Sequence, residues 1–74
     1  MNTAPIVVHP VSLSGGRQVT MRRRGREDVL GVAYSDYDLV VFLEAAGVVS
    51  PDNVLDDPQL VQWNGAAAHE WRAA

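Results

Sequence analysis

The segment from Ser35 to Gly47 carries the signals for both ends of one short helix, and it constrains the fold of this chain most strongly. Ser35 is a good N-cap, because its hydroxyl can accept a hydrogen bond from the amide of Asp38. The positive end of the helix dipole also favours the carboxylate of Asp38. Gly47 is typical of the left-handed residue that ends a helix. The spacing predicts a helix over residues 36–46. Its core side is formed by Leu39, Phe42, Leu43 and Ala46.

The residues before this helix are typical of a β-hairpin. Residues 17–23 alternate apolar and polar side chains, residues 24–26 form a turn around Gly25, and residues 29–34 return. On the returning strand, Gly31 indicates a bulge or the close approach of another residue. The side chains expected to face the core there are Leu30, Val32 and Tyr34.

The two ends of the chain also contain extended segments. Residues 5–13 are apolar, but Pro5 and Pro10 lack backbone N–H groups, so an edge strand or an irregular arm is expected. Residues 60–63 are typical of a strand. After a turn at Asn64-Gly65, residues 69–71 are expected to return as a strand, with a helix over residues 66–73 as the rival interpretation.

These elements predict one α+β domain over residues 1–74, with residues 1–4 frayed and a single helical turn after an N-cap at Ser50. A small antiparallel sheet of three to five strands packs on one central helix, in the order β-β-β-α-β-β. The predicted core consists of Val19, Met21, Leu30, Val32, Tyr34, Leu39, Phe42, Leu43, Ala46, Leu55, Leu60 and Trp63. The burial of Trp71, near the end of the chain, is left open.

Composition narrows the class of function. The chain has no cysteine, which favours a reducing, cytoplasmic setting and excludes thiol chemistry. Its net charge is −3, so general attraction to nucleic acid is not expected. No apolar run approaches the length of a membrane span, and a signal peptide is not expected.

No arrangement of side chains points to catalysis or to a bound cofactor. His9 and His69 lack the spacing of zinc ligands, and the serines lie in no nucleophile motif. The turn at Ser14-Gly15-Gly16 lacks the Lys and Ser/Thr of a phosphate-binding loop. We therefore expect a non-catalytic protein without a metal ion or a cofactor.

The helix has a second side, away from the core, that is unusually apolar. Tyr37, Val40, Val41 and Glu44 share this side. Either the terminal segments of the chain cover it, or a partner protein or a second copy does. The leading hypothesis is a small protein–protein interaction or regulatory accessory domain that uses these four residues, with self-association as one form.

A cluster of arginines at the predicted hairpin turn supports an alternative function. The cluster consists of Arg22, Arg23, Arg24 and Arg26. Guanidinium groups could grip phosphates there, which predicts contact with nucleic acid. The competing interpretation is a solvated turn in which these arginines pair with Glu27 and Asp28.

Overall fold

The computed structural model of the protein describes residues 4–72. Its elements, in chain order, are β1 (Ile6–Val11), β2 (Arg17–Arg23), β3 (Arg26–Ala33), α1 (Asp36–Ala45), a 3-10 turn (Pro51–Asn53) and β4 (Val61–Trp63). The four strands form one sheet in the order β3-β2-β1-β4. The α+β class is therefore confirmed, and the predicted order β-β-β-α-β-β is matched only through its first five elements.

The sheet is mixed, so the prediction of an antiparallel sheet is wrong in one strand pair. The pairs β1–β2 and β2–β3 are antiparallel, whereas β4 runs parallel to β1. The edge position predicted for residues 5–13 is also wrong, because β1 lies between β2 and β4. Pro5 precedes the strand, and Pro10 lies where the register with β2 shifts, beyond the three residues that pair with β4. Neither proline removes a needed hydrogen bond.

The last predicted element is absent from the described part of the chain. Residues 64–72 contain neither the returning strand expected at 69–71 nor a helix, and they form turns and irregular structure. Residue 73, the end of the rival helix, lies outside the described residues. So do residues 1–3, which were expected to be frayed, whereas Ala4 is buried. The described sheet therefore has four strands.

Helix α1 begins and ends as the sequence predicts. The Ser35 hydroxyl accepts the Asp38 amide at 3.2 Å. At the other end Gly47 is left-handed, with φ +93°, and the Val48 amide donates to the Leu43 carbonyl at 3.0 Å. This bond closes the last turn over the glycine. The turn at Pro51–Asn53 is also observed, but Ser50 is itself left-handed and its side chain makes no capping bond.

Side chains from the strands and from α1 meet in one apolar cluster. Leu39 and Leu43 of α1 are fully buried in it, together with Ile6, Val8, Val19, Ala33, Leu55 and Val61. We call the side of the sheet that carries Ile6, Val8, Val19 and Val61 the core face. Of the remaining predicted core residues, five are partly buried: Met21, Leu30, Phe42, Ala46 and Trp63.

Three predicted core residues are exposed instead, namely Val32, Tyr34 and Leu60. In β3 the reason is a bulge. Val19 pairs with Gly31 but Thr20 pairs with Val29, so Leu30 is an extra residue and the alternation reverses. Gly31 therefore lies under Phe42, whose Cζ would be only 2.7 Å from a Cβ at this position. Leu60 precedes β4, and Val61 takes the buried position.

Candidate functional site

A buried arginine makes hydrogen bonds to residues near the C-terminal end of the described chain. Arg17, in the first position of β2, has no exposed surface. All five of its N–H donors bond to backbone carbonyls, at distances of 2.7 to 3.2 Å. These carbonyls belong to His9, Asn64, Ala66, Ala67 and Glu70. Four of the five lie in residues 64–72, which we call the C-terminal segment.

Two indole rings enclose the same guanidinium. The Arg17 Cζ lies 5.2 Å from the ring centroid of Trp63 and 6.0 Å from that of Trp71. Stacking of this kind favours the cation through the ring quadrupoles. Burial lowers the pKa of Arg17 and the nearby Glu70 opposes that effect, but an arginine remains protonated in proteins. The positive charge therefore stays, and the C-terminal segment is fixed to the end of β2 by its own carbonyls.

His69 anchors the C-terminal segment at a second point. Its Nδ1 lies 2.8 Å from Asp36 Oδ2, and its Nε2 lies 2.5 Å from Asp56 Oδ1. The hydrogen bonds with Asp56 and Asp36 raise the pKa of His69. Asp36 also accepts the Trp71 indole N–H at 2.8 Å, through its other oxygen. The start of α1 thus holds two residues of the C-terminal segment.

The arrangement is suited to joining segments rather than to proton transfer. A general base needs a ring nitrogen free to face a substrate, and both nitrogens of His69 face carboxylates. Among residues 4–72 there is no group of three or more histidine, aspartate or glutamate side chains that could hold a metal ion. His69 instead connects the C-terminal segment to Asp36 of α1 and to Asp56 in the turn that follows Leu55.

The helix side predicted to bind a partner is mostly exposed. Tyr37 is 74% exposed and Val41 is 40% exposed, and Glu44 is exposed as well. Val40 is less exposed than the helical spacing predicts, because it is half-buried and packs against the apolar cluster. Tyr37 and Val41 lie one turn apart on the same side of α1.

The predicted arginine turn is present, with left-handed Arg24 and Gly25 at its tip. Arg23 donates to the Ala46 carbonyl at 3.0 Å, so its cation lies at the negative end of α1. The other three members, Arg22, Arg24 and Arg26, are exposed. The predicted pairing with Glu27 and Asp28 is not observed, since no ion pair in the described structure involves these arginines.

Neither the role of Arg17 nor the contacts of His69 were predicted from the sequence. The sequence does contain a pattern that predicts the burial of Arg17. Arg17 lies two and four residues before Val19 and Met21, so all three side chains point to the core side of β2. No local signal joins His69 to Asp36, which lies 33 residues earlier in the chain. Asp36 lies in the first turn of α1 and also accepts hydrogen bonds from His69 and Trp71.

Comparison of the chain with protein-family models, with curated proteins and with solved structures gives no significant match. In residues 4–72, no helix has the length and apolar character needed to cross a membrane.

Proposed function

We propose that the protein is a small, non-catalytic, cytoplasmic domain that binds another protein through the outer side of α1. In this proposal α1 is the central helix, with its Leu39–Leu43 side against the sheet and its opposite side free for a partner. The docking surface consists of Tyr37, Val41 and Glu44, with Val40 at its inner margin. Self-association is one form of this function.

The observation that supports the proposal is the position of the two terminal segments within the described residues 4–72. The apolar outer side of α1 could be covered by the N-terminal residues or by the C-terminal segment. The N-terminal residues form β1 in the middle of the sheet, and the C-terminal segment is fixed by Arg17 and His69. With both segments in place, Tyr37 and Val41 remain exposed. Tyrosine is one of the residue types enriched among binding hot spots.

The test is sedimentation of the purified protein at two concentrations, comparing the wild type with Val41→Asp. We expect the wild type to show a concentration-dependent mass, or to capture a defined protein partner, and Val41→Asp to lose that association. The control is Val49→Asp, because Val49 is 84% exposed but lies outside α1. A strictly monomeric wild type, with the same captured proteins for wild type and Val41→Asp, would contradict the proposal.

The arginine turn supports a second candidate function, contact with nucleic acid. Arg22, Arg24 and Arg26 are exposed and make no ion pair in the described structure, so their guanidinium groups can reach phosphates. Arg23 stabilises the turn through its hydrogen bond to the Ala46 carbonyl at the end of α1.

Gel shifts at low and moderate salt test this second function. Binding that depends on phosphate contacts should weaken with a slope of about −0.9 per contacted phosphate in a plot of log K against log salt. Arg24→Gln should reduce that slope by about one unit. Absence of binding to duplex and to single strands at low salt would exclude this function.

A further inference from the structure

Charged side chains make many of the contacts that hold the C-terminal segment to the rest of the chain. One carboxylate oxygen of Asp36 accepts a hydrogen bond from the Trp71 indole N–H, and the other lies at the Nδ1 of His69, at 2.8 Å each. Asp56 faces the remaining nitrogen of His69. The segment has no regular secondary structure of its own. Besides these bonds and those of Arg17, the Asn64 amide donates to the Val8 carbonyl at 2.9 Å, and the Gly16 amide donates to the Trp71 carbonyl at 3.0 Å.

The two carboxylates place a requirement on the protonation of His69. A neutral imidazole has one N–H and one lone pair, so it can donate to only one of the two. The imidazolium donates to both. When the proton leaves, a lone pair faces a carboxylate oxygen across a hydrogen-bond distance, and one contact becomes repulsive. The complete network therefore exists only with a protonated His69.

The backbone at His69 adds a reason for two alternative states. Its φ is +69°, a left-handed conformation that residues other than glycine seldom adopt. Such a conformation persists where surrounding contacts hold it. Loss of a side-chain contact at this residue therefore also removes support from a strained backbone.

We propose that the C-terminal segment carries a pH-dependent latch, closed while His69 bridges Asp36 and Asp56, which releases the Trp71 indole from Asp36 when His69 loses its proton. This inference does not depend on the proposed protein-binding function.

The charges around His69 set the direction of the response. Asp56, from the turn after Leu55, and Asp36, from α1, face it directly and raise its pKa above its ordinary value. Behind the indole rings lies Arg17, whose charge is partly offset by Glu70. The neighbouring acids Asp38 and Asp57 accept the amides of Tyr34 and Gln59 instead. The latch is thus closed below the raised pKa of His69, and it opens as the pH rises through that pKa.

The two tryptophans provide the probe and its internal control. The Trp71 indole N–H donates to Asp36, whereas the Trp63 indole N–H donates to the Leu55 carbonyl, which carries no charge. NMR measures the exchange of each indole proton with water and, in the same samples, the titration of His69. After correction for intrinsic exchange, we expect Trp71 exchange to accelerate across the His69 titration and Trp63 exchange to stay constant.

Thermodynamic linkage between protonation and opening gives the expected size of the pH effect. The factor by which deprotonation opens the latch is ten raised to the difference between the His69 pKa in the closed state and about 6.5. Asp56→Asn should lower the midpoint and reduce that factor, and it preserves the fold because Asp56 is exposed. His69→Gln should abolish the pH dependence of Trp71 exchange. His9→Gln is the matched control and should leave it unchanged, since His9 contacts Thr20 instead.

Two results would overturn the latch. The first is a His69 midpoint at or below the ordinary histidine value, which would mean that the bridge is not formed. The second is an elevated midpoint with Trp71 exchange that follows Trp63 at every pH, which would mean that the bridge forms but does not hold the segment. Either result can be read from the wild type and Asp56→Asn, even if His69→Gln does not fold.

Discussion

Replacing Arg17 by lysine keeps the positive charge but removes the forked geometry, and we expect it to destabilise the fold severely. A lysine has at most three N–H donors, whereas Arg17 satisfies five carbonyls. At least two carbonyls would lose their partner. Hydrogen bonds to charged groups contribute about 1.5–3 kcal/mol each, so the loss is about 3–6 kcal/mol.

This loss is comparable to the whole stability of a chain of this size. At roughly 0.05–0.15 kcal/mol per residue, 74 residues give about 4–11 kcal/mol. Each kcal/mol lowers the Tm of a small domain by about 4–8 °C, so Arg17→Lys should melt far below the wild type or be unfolded at 25 °C.

Urea unfolding followed by tryptophan fluorescence is a suitable assay, because Trp63 and Trp71 both contact the guanidinium. Arg22→Lys is the matched control, since Arg22 lies on the same strand and is exposed. A free energy of unfolding for Arg17→Lys within about 1 kcal/mol of the wild type, less than one hydrogen bond to a charged group, would refute the reasoning.

Three further changes test other parts of the structure. Leu43→Ala should lower the free energy of unfolding by about 2–5 kcal/mol, because Leu43 is fully buried, and an unchanged Tm would contradict the core assignment. Gly31→Ala should cost about 1–3 kcal/mol through the clash with Phe42, measured by urea unfolding, whereas Gly15→Ala, also at positive φ but in open space, should cost less. The wild type should lose stability relative to His69→Gln as the pH rises from about 6.5 through the raised pKa of His69, since a raised pKa stabilises the fold only below it. Unfolding curves that shift equally with pH in both proteins would contradict this.

Features encoded within a few residues were predictable. The boundaries of α1 follow from Ser35 and Gly47, each of which acts on backbone groups within one helical turn. The turn at Arg24-Gly25 is local in the same way. The glycine in β3 was also informative, because Gly31 marks both a register shift and the close approach of Phe42.

Features that depend on distant pairing were not predictable. Nothing near Ile6 indicates that it pairs in parallel with Val61, which lies 55 residues later, and Pro10 misled because its missing N–H falls where no bond is needed. The bulge at Leu30 then reversed the inward and outward positions that follow it. In each case, tertiary contacts set the strand pairing or side-chain orientation, and these differed from what the local sequence pattern predicts.

The functional predictions divide along the same line. The outer side of α1 was found because helical spacing alone defines it, although the burial of Val40 depends on its neighbours in the fold. The site around Arg17 was missed because five carbonyls from two distant segments have no signature in side chains. A buried arginine could be suspected only from its phase with Val19.

The central claim is that Arg17, inside the fold, fixes the C-terminal segment. NMR of the guanidinium groups tests it most directly, since all six arginines give signals in one spectrum. We predict separate Nη–H signals for Arg17 that exchange slowly with water and show cross-relaxation to the rings of Trp63 and Trp71. A single averaged Nη–H signal, exchanging as fast as that of exposed Arg24, would contradict the account.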